Sequence, residues 1–294
     1  MSLRGSDPAS GRVAQHRAAF IAACRAELRA LKPGNVHDFA DGHRMTVADF
    51  EASAKAAAVP LCRLGAPVGQ RIRGAVAASW SAVGCNTNLG IILLAAPLIA
   101  AAESAAGDDL RESLASVLES LTVEDAVAAY AAIAMANPAG LGRVADQDVA
   151  ERPTVTLLAA MRLAADRDRI AGQYATAYED VFERGVVRLK AALARGFDIE
   201  WATTLAYLDF LSDFSDSHIH RKFGAQAAEE VRREAGAVRD VVMRASRPEQ
   251  SRAVLLGLDA ALKSRGINPG TSADLTVASL LVLELENGLI FPAR

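Results

Sequence analysis

The sequence contains few aromatic residues and few cysteines. Among its 294 residues, Phe, Trp and Tyr together account for 5%, and the three cysteines, Cys24, Cys62 and Cys85, are scattered without a CxxC pair. We therefore interpret the cysteines as buried, reduced thiols. The formal net charge of −3 gives no electrostatic case for nucleic acid as a partner.

The sequence also predicts neither a transmembrane segment nor a signal peptide. The long apolar run from Leu89 to Ala102 falls short of the roughly 20 apolar residues that a membrane-spanning helix needs. The N-terminus, MSLRGSDPASGRVAQH, is polar and has no apolar core of the kind found in signal peptides. These absences predict a cytoplasmic protein with no membrane partner. The nucleotide-binding and hydrolase patterns GxxxxGK(S/T), GxGxxG and GxSxG are absent as well.

Hydrophobic residues make up 51% of the sequence, and much of this fraction is alanine. Alanine- and leucine-rich segments without β-type alternation favour tightly packed helices. We predict an all-α protein, with residues 1–12 as a mobile tail and residues 13–294 as a single domain of roughly ten helices. The run Leu89–Ala102 is apolar all round and is predicted to be a buried central helix, which Pro97 should kink or end.

Helix starts are indicated by two capping patterns and by four polar segments. Thr46 with Asp49, and Thr122 with Asp125, have the spacing of a capping box. The polar segments are KPGNVHD at 32–38, GCNTN at 84–88, DQD at 146–148 and NPGTSAD at 268–274. A helix N-terminus presents free N–H groups and a positive dipole end, which favour phosphate. An ordinary capped turn is the alternative for each segment alone.

A stripe of carboxylates is predicted on one continuous helix, Glu200–Phe223. Its polar positions at i, i+4, i+7 and i+11 are Asp209, Asp213, Asp216 and His220. Mg²⁺ favours carboxylates together with substrate phosphates, and the basic pair Arg221 and Lys222 follows directly. We therefore predict Asp213 and Asp216 as ligands of a Mg²⁺–polyphosphate site, with a solvated acidic face as the alternative.

Two further polar groups have simpler interpretations. His218 and His220 could chelate zinc only in an extended segment, since side chains at i and i+2 diverge on a helix. The run from Asp166 to Arg169 is most simply a set of ion pairs on a helix surface, with a functional Arg167 or Asp168 as the alternative.

Taken together, the polar segments resemble the triphosphoribosyl-dephospho-CoA synthase family, an all-α family that handles ATP and dephospho-CoA. The matching pieces are KPGNVHD, close to the family's PKPGLVD; GCNTNLG, close to its NTHKG; DSHIHRKFG at 216–224, close to its DTN-x-x-x-R-x-G region; and NPGTSADL at 268–275, close to its SPGGSADL. They occur in the expected order, so the resemblance covers nearly the whole chain. The last motif is the most specific.

The resemblance implies transfer of a triphosphoribosyl unit from ATP to the ribose 2′-hydroxyl of dephospho-CoA, with release of adenine. Such a reaction needs Mg²⁺ and cationic groups for the triphosphate, a base for the hydroxyl, and carboxylates that stabilise positive charge at the anomeric carbon. The catalytic residues that it implies are Asp213, Asp216 and Asp274. Those implied for substrate binding are Lys32, Asn35, His37, Asp38, Asn86, Thr87, Asn88, His220, Arg221, Lys222 and Ser272.

The sequence departs from the family pattern at two places. The family's His-Lys is replaced by Asn88-Leu89, which removes a basic residue from the predicted site, and its Gly-x-Arg-Gly-Glu segment has no clear counterpart. The pattern looks more like a divergent branch found in organisms that make methanopterin- or methanofuran-type one-carbon cofactors, which predicts a divergent acceptor. The alternatives are a non-catalytic helical protein that binds a nucleotide or a partner, and a nucleotide hydrolase.

We expect nucleotide or other small-molecule substrates as partners, ATP among them, with Mg²⁺ as cofactor and a homodimer as one compatible assembly. We also predict that residues far apart in sequence converge on one cleft. They are Lys32, Asn35, Asn86, Asp213, Asp216 and Asp274.

Overall fold

The structure is a computed structural model that describes residues 8–40, 45–105, 109–138, 147–245 and 247–287. Within these ranges the chain forms fourteen α-helices and no β-strand, which confirms the predicted all-α class. The helices are α1 Pro8–Arg29, α2 Val47–Leu61, α3 Val68–Val83, α4 Leu89–Ser104, α5 Leu110–Glu119, α6 Val123–Ala136, α7 Leu157–Ala164, α8 Arg169–Ala175, α9 Val187–Ala194, α10 Ile199–Asp213, α11 Ser217–Phe223, α12 Ala225–Arg244, α13 Arg252–Ser264 and α14 Gly270–Asn287. A π-helical turn, Val181–Val186, precedes α9, and a 3₁₀ turn, Pro248–Ser251, precedes α13.

Both predicted capping boxes start helices. At α2 the hydroxyl of Thr46 accepts the N–H of Asp49, and the carboxylate of Asp49 accepts the N–H of Thr46 at 2.8 Å. Thr122 and Asp125 repeat this arrangement at α6. The first helix begins at Pro8, inside the segment predicted as a mobile tail, and residues 1–7 lie outside the described ranges.

The helices outnumber the prediction because carboxylates interrupt two segments that were expected to be continuous. The helical pattern of residues 154–185 predicts one continuous helix, but Asp168 caps α8 within it. Asp216 caps α11, three residues after α10 ends at Asp213. The continuous helix Glu200–Phe223 is therefore wrong, and with it the single face on which its carboxylates were expected to align.

The long apolar segment forms α4, in which residues Gly90–Ile99 and Ala101 are buried. Pro97 lies within this helix rather than ending it. Because proline has no N–H, the carbonyl oxygen of Leu93 lacks its helical donor. The hydroxyl of Tyr174, on α8, donates to that oxygen at 2.6 Å and replaces the missing bond.

Helix packing brings the N-terminal ends of α4 and α14 together. The α14 helix contacts α1, α4, α10 and the π-helical turn. A Cβ atom added at Gly90 of α4 would lie 2.0 Å from Oδ2 of Asp274 on α14, so the close approach of these two helices requires glycine at this position. No helix within the described ranges is long and apolar enough to cross a membrane.

Candidate active site

A cleft of about 520 Å³ opens where the N-terminal ends of α4 and α14 meet. Other parts of its wall come from α1, α6, α7, α8, α11 and the loop before α2. The predicted site residues that line it are Asn35, Asn86, Thr87, His220, Arg221 and Asp274. The structure therefore brings together side chains from all four motifs that carried the family resemblance.

The first and last of these motifs meet at one edge of the cleft. The side-chain amide of Asn35 donates to Oδ1 of Asn268 at 2.9 Å. The N–H of Gly34 donates to Asp259 at 2.8 Å, and the hydroxyl of Tyr207 donates to the carbonyl of Pro33 at 2.7 Å. The segments 32–36 and 268–270, which are far apart in sequence, are thus held against each other as the sequence analysis predicts.

The N-terminal end of α4 carries the motif GCNTNLG into the cleft wall. Oδ1 of Asn86 accepts the N–H of Leu89 at 3.2 Å, so Asn86 supplies a side-chain cap. The hydroxyl of Thr87 donates to Oγ of Ser53 at 2.7 Å. Asn88 is buried and does not line the cleft, whereas Leu89 and Gly90 do.

Lys32 lies behind the cleft wall rather than in it. Its side chain is fully buried, and Nζ lies 2.7 Å from Oε1 of Glu27 and donates to the carbonyl of Val36 at 2.6 Å. A further contact joins Nζ to Oδ1 of Asn35 at 3.4 Å. Glu27, which is only 4% exposed, is the member of this ion pair that lines the cleft.

The carboxylate of Asp216 joins the first turns of two helices, α11 and α14. Its Oδ1 accepts the N–H groups of His218 and Ile219 at the start of α11. Its Oδ2 accepts both the N–H and the hydroxyl of Ser272, in the first turn of α14, at 2.8 Å each. Both oxygens are therefore engaged, and neither Asp216 nor Ser272 lines the cleft. The predicted site residue Asp216 sits directly beneath the site and fixes two of the elements that form it.

Asp213 lies outside the cleft, at the C-terminal end of α10, of which it is the last residue. Its Oδ1 accepts from Arg239 at 2.7 Å and its Oδ2 from Arg184 at 3.3 Å. The predicted convergence of Asp213 with Asp216 and Asp274 is thus not observed. The break between α10 and α11 separates Asp213 from the other two carboxylates.

Asp274 is the unpaired carboxylate of the cleft. It has no hydrogen bond or ion pair to any described residue, and it lies against the backbone of Gly90. Burial raises the pKa of Asp274 well above its ordinary value, and the carboxylates of Asp216 and Glu27 raise it further. A carboxylate with this environment is suited to accept a proton or to meet a positive charge.

Arginine and histidine side chains also line the polar wall of the cleft. Arg221 on α11 forms an ion pair with Asp168, the cap of α8. Arg167 and His220 are exposed and also line the cleft, and His218 joins them from α11. The cleft therefore combines groups that attract anions with a carboxylate that forms no ion pair with the described residues.

Several polar residues of the cleft were missed or given a structural interpretation from sequence. Glu27 and His218 were not predicted as binding residues, and Arg167 and Asp168 were interpreted as surface ion pairs. Asp168 could have been predicted as a site residue, because aspartate is a favoured helix cap and the four polar segments were selected as helix starts. Glu27 lies near the C-terminal end of α1, away from any helix start, and gives no such signal.

The remaining predicted binding residues lie outside the cleft. His37 is fully buried and contacts Asp259 at 3.3 Å, and burial lowers the pKa of its imidazole. Asp38 is exposed, as is Lys222, which lies over the ring of Phe223 at 5.1 Å. Contacts such as that of His37 with Asp259 hold the loop that carries Asn35.

The residues predicted to hold Mg²⁺ do not fit that role. Asp213 is neutralised by two arginines, and both oxygens of Asp216 already accept hydrogen bonds. Nor does any group of three His, Cys, Asp or Glu side chains in the described ranges form a potential metal site. We therefore derive no step through a metal ion held by this pair.

The larger part of the cleft wall is apolar. Leu89, Ile91 and Leu93 of α4 face this space together with residues of α6 and α7, including Ile133 and Met161. Such a combination of apolar wall and few polar groups is typical of sites for small molecules.

Comparison with known proteins identifies related sequences and folds. A model of the family ATP:dephospho-CoA triphosphoribosyl transferase (CitG) matches residues 14–291. A solved structure from Archaeoglobus fulgidus, described provisionally as a triphosphoribosyl-dephospho-CoA synthase, aligns with a TM-score of 0.63 and 24% identity over 80% of this chain and 98% of that chain. At this identity the likeness shows the fold alone. No curated protein matches the chain.

Proposed function

The chain belongs to the ATP:dephospho-CoA triphosphoribosyl transferase family, and on this premise we propose that its cleft joins the triphosphoribosyl unit of ATP to a hydroxyl group of an acceptor and releases adenine. The chain is accordingly an ATP-using transferase of coenzyme-related biosynthesis. The observation that carries the proposal is the unpaired carboxylate of Asp274, which shares one cleft with Arg221 and the N-terminal end of α4. In this proposal α4 is the central helix on which the site is built.

The triphosphate is assigned to the polar wall of the cleft. The first turn of α4 supplies N–H groups and the positive end of a helix dipole, which attract phosphate oxygens. Arg167, Arg221 and His220 add hydrogen-bond donors, and two of them carry a permanent positive charge. The adenine ring and the apolar part of the acceptor are assigned to the wall that includes Leu89 and Met161.

Asp274 is assigned as the base that accepts the proton of the acceptor hydroxyl. A base works best when its pKa lies near the working pH, and the raised pKa of Asp274 moves it in that direction. The backbone of Gly90 and the first turn of α14 fix its position, so the carboxylate needs no ordering when the substrate binds.

Mg²⁺ enters this proposal with the donor. The ion is commonly held by substrate phosphates, waters and one or two carboxylates rather than by a protein cage, and it lowers the charge of the triphosphate. Protein residues then need only bind the remaining phosphate oxygens.

For the acceptor we propose a hydroxyl compound of the methanopterin or methanofuran type in place of dephospho-CoA. Leu89 supports this choice, because it lines the cleft where the resembled family pattern has a basic residue. Dephospho-CoA carries a diphosphate that gains from a cation, whereas an acceptor with fewer phosphates does not.

The test is an assay of adenine release from ATP and Mg²⁺ with dephospho-CoA or with hydroxyl precursors of one-carbon cofactors, and mass spectrometry of the adduct. We expect an adduct heavier by one triphosphoribosyl unit, formed faster with a one-carbon cofactor precursor. Faster transfer to dephospho-CoA would contradict the proposed acceptor but not the proposed transfer reaction. Tight ATP binding without adenine release would instead support the non-catalytic alternative, which Leu89 also favours.

A further inference from the structure

Glu27 is a buried acid in the wall of the cleft with only one of its oxygens in use. Oε1 contacts Nζ of Lys32 at 2.7 Å, whereas Oε2 has no hydrogen bond to any described residue. The side chain is only 4% exposed and borders the same space as Asp274. Because this oxygen lacks a partner among the described residues and is not fully buried, it can offer its charge to a ligand in the cleft.

Lys32 is committed to this arrangement and is not available to a substrate. Its three donor directions are used by Glu27, the carbonyl of Val36 and Oδ1 of Asn35. It therefore joins Glu27 to the loop whose Asn35 lines the cleft. The cation opposes the rise in the pKa of Glu27 that burial causes, and it fixes the orientation of the carboxylate.

The two acids of this part of the cleft differ in their partners. Asp274 has no cationic hydrogen-bond partner among the described residues, and the charge of Glu27 contributes to its raised pKa. Glu27 is paired with a lysine that is itself fully buried. Two acids whose surroundings differ in this way are suited to different tasks in one reaction.

We propose that Glu27 is a catalytic residue of the transfer, in which its free oxygen stabilises the positive charge that develops at the anomeric carbon of the ribose, and that Lys32 is its positioning residue. This inference rests on the proposed function. In the reaction the acceptor oxygen bonds to the anomeric carbon as the bond from that carbon to adenine breaks, and the bonding pair leaves with adenine. The hydroxyl proton passes to Asp274 and then through water to the departing base, so that adenine leaves neutral.

The obvious variant, Glu27→Gln, keeps the shape of the side chain but leaves Lys32 buried without its counter-charge. This variant could therefore lose activity only because it fails to fold. The double variant Glu27→Gln with Lys32→Met removes both charges and keeps both shapes approximately. Neutral replacement of a whole buried ion pair is commonly tolerated, whereas removal of one partner is not. A loss of activity in a folded double variant therefore reports the catalytic role of Glu27 rather than its structural role.

The experiment compares wild type, both variants and Lys32→Met for kcat, ATP affinity by calorimetry, and melting temperature. We expect the double variant to fold and bind ATP with less than a threefold change in affinity, and to lose kcat by about 100-fold, the usual effect of removing one electrostatic stabiliser. Adenine release in the absence of acceptor should fall equally, because the stabilised charge is on the donor. Addition of formate to Glu27→Ala with Lys32→Met should restore part of the rate.

A double variant that folds and retains the wild-type kcat would overturn the proposal and leave Glu27 as the structural partner of Lys32. If this variant fails to fold, the comparison moves to Glu27→Asp, whose shortened carboxylate should lower kcat without changing ATP affinity; an unchanged kcat there overturns the proposal. Wild-type protein that releases no adenine with any acceptor would refute the proposed function itself, and the role of Glu27 with it.

Discussion

Two regions of the molecule contain clusters of carboxylates, and they differ in their supply of cations. At the C-terminal end of α10, Asp209 and Asp213 face Arg184, Arg188 and Arg239, which form ion pairs with them. In the cleft, Asp168 is paired with Arg221 and Glu27 with Lys32, while Asp274 forms no ion pair with any described residue. The first cluster is electrically balanced by its own side chains, whereas the second has a carboxylate left over.

We propose that this difference separates a structural cluster from a functional one. The pairs around Asp213 connect α10 to α12 and to the π-helical turn, and their carboxylate oxygens are in use. An uncompensated carboxylate such as Asp274 destabilises the folded protein by itself. A protein keeps such a group where a ligand or a reacting proton compensates it, which is why perturbed acids concentrate at active sites.

The largest expected effect is the loss of turnover on Asp274→Asn. Asparagine keeps the shape of the side chain but cannot accept a proton, so kcat should fall by about 100-fold or more while ATP affinity is nearly kept. Steady-state kinetics and calorimetric titration measure the two quantities. Unchanged kcat would remove the distinction between the two clusters.

Gly90→Ala should produce the next largest effect. Its new methyl group would lie 2.0 Å from Oδ2 of Asp274 and 2.7 Å from Cδ1 of Ile170, so α4 or the carboxylate must shift. We expect a loss of activity together with a destabilisation of about 1–3 kcal/mol. The matched control is Gly257→Ala on the exposed side of α13, where a Cβ atom meets nothing within 4 Å. The control should keep activity and gain about 0.5–1 kcal/mol.

The pH dependence of stability should report the raised pKa of Asp274. The folded-state pKa of Asp274 lies above its ordinary value of 3.8, so between these two values the folded state binds the extra proton. The free energy of unfolding contributed by this group therefore decreases as pH rises from 3.8 and becomes constant above the raised pKa. Asp274→Asn should abolish this decrease and be more stable than wild type at neutral pH. Denaturant titrations across this range that give parallel curves for the two proteins would contradict the raised pKa.

The smallest effect is expected for Asp213→Asn. The ion pairs of Asp213 are partly exposed, so their loss should lower the free energy of unfolding by about 1 kcal/mol at most. Activity should be unchanged, since Asp213 does not line the cleft. A tenfold fall in kcat with normal stability would place Asp213 in the functional site after all.

Local features of the fold were predictable from sequence because short-range hydrogen bonds decide them. The capping boxes at Thr46 and Thr122 start their helices as predicted, and the apolar run from Leu89 forms a helix with most of its residues buried. The break at Asp216 was missed because an aspartate inside a helical pattern is compatible with either a surface position or a cap. Its partner, Ser272, lies far away along the chain.

By itself, the sequence determined the all-α class and the polar segments, since helix starts are local properties. Of the six residues predicted to converge on one cleft, partly on the family resemblance, Asn35, Asn86 and Asp274 line it. Only the tertiary structure decided which charges are neutralised. The arginines that neutralise Asp213 come from the π-helical turn and α12, and the lysine that holds Glu27 is withdrawn from the cleft by contacts with its own loop. Charge balance depends on distances between segments that no spacing along the chain specifies, so packing alone left Asp274 without a partner among the described residues.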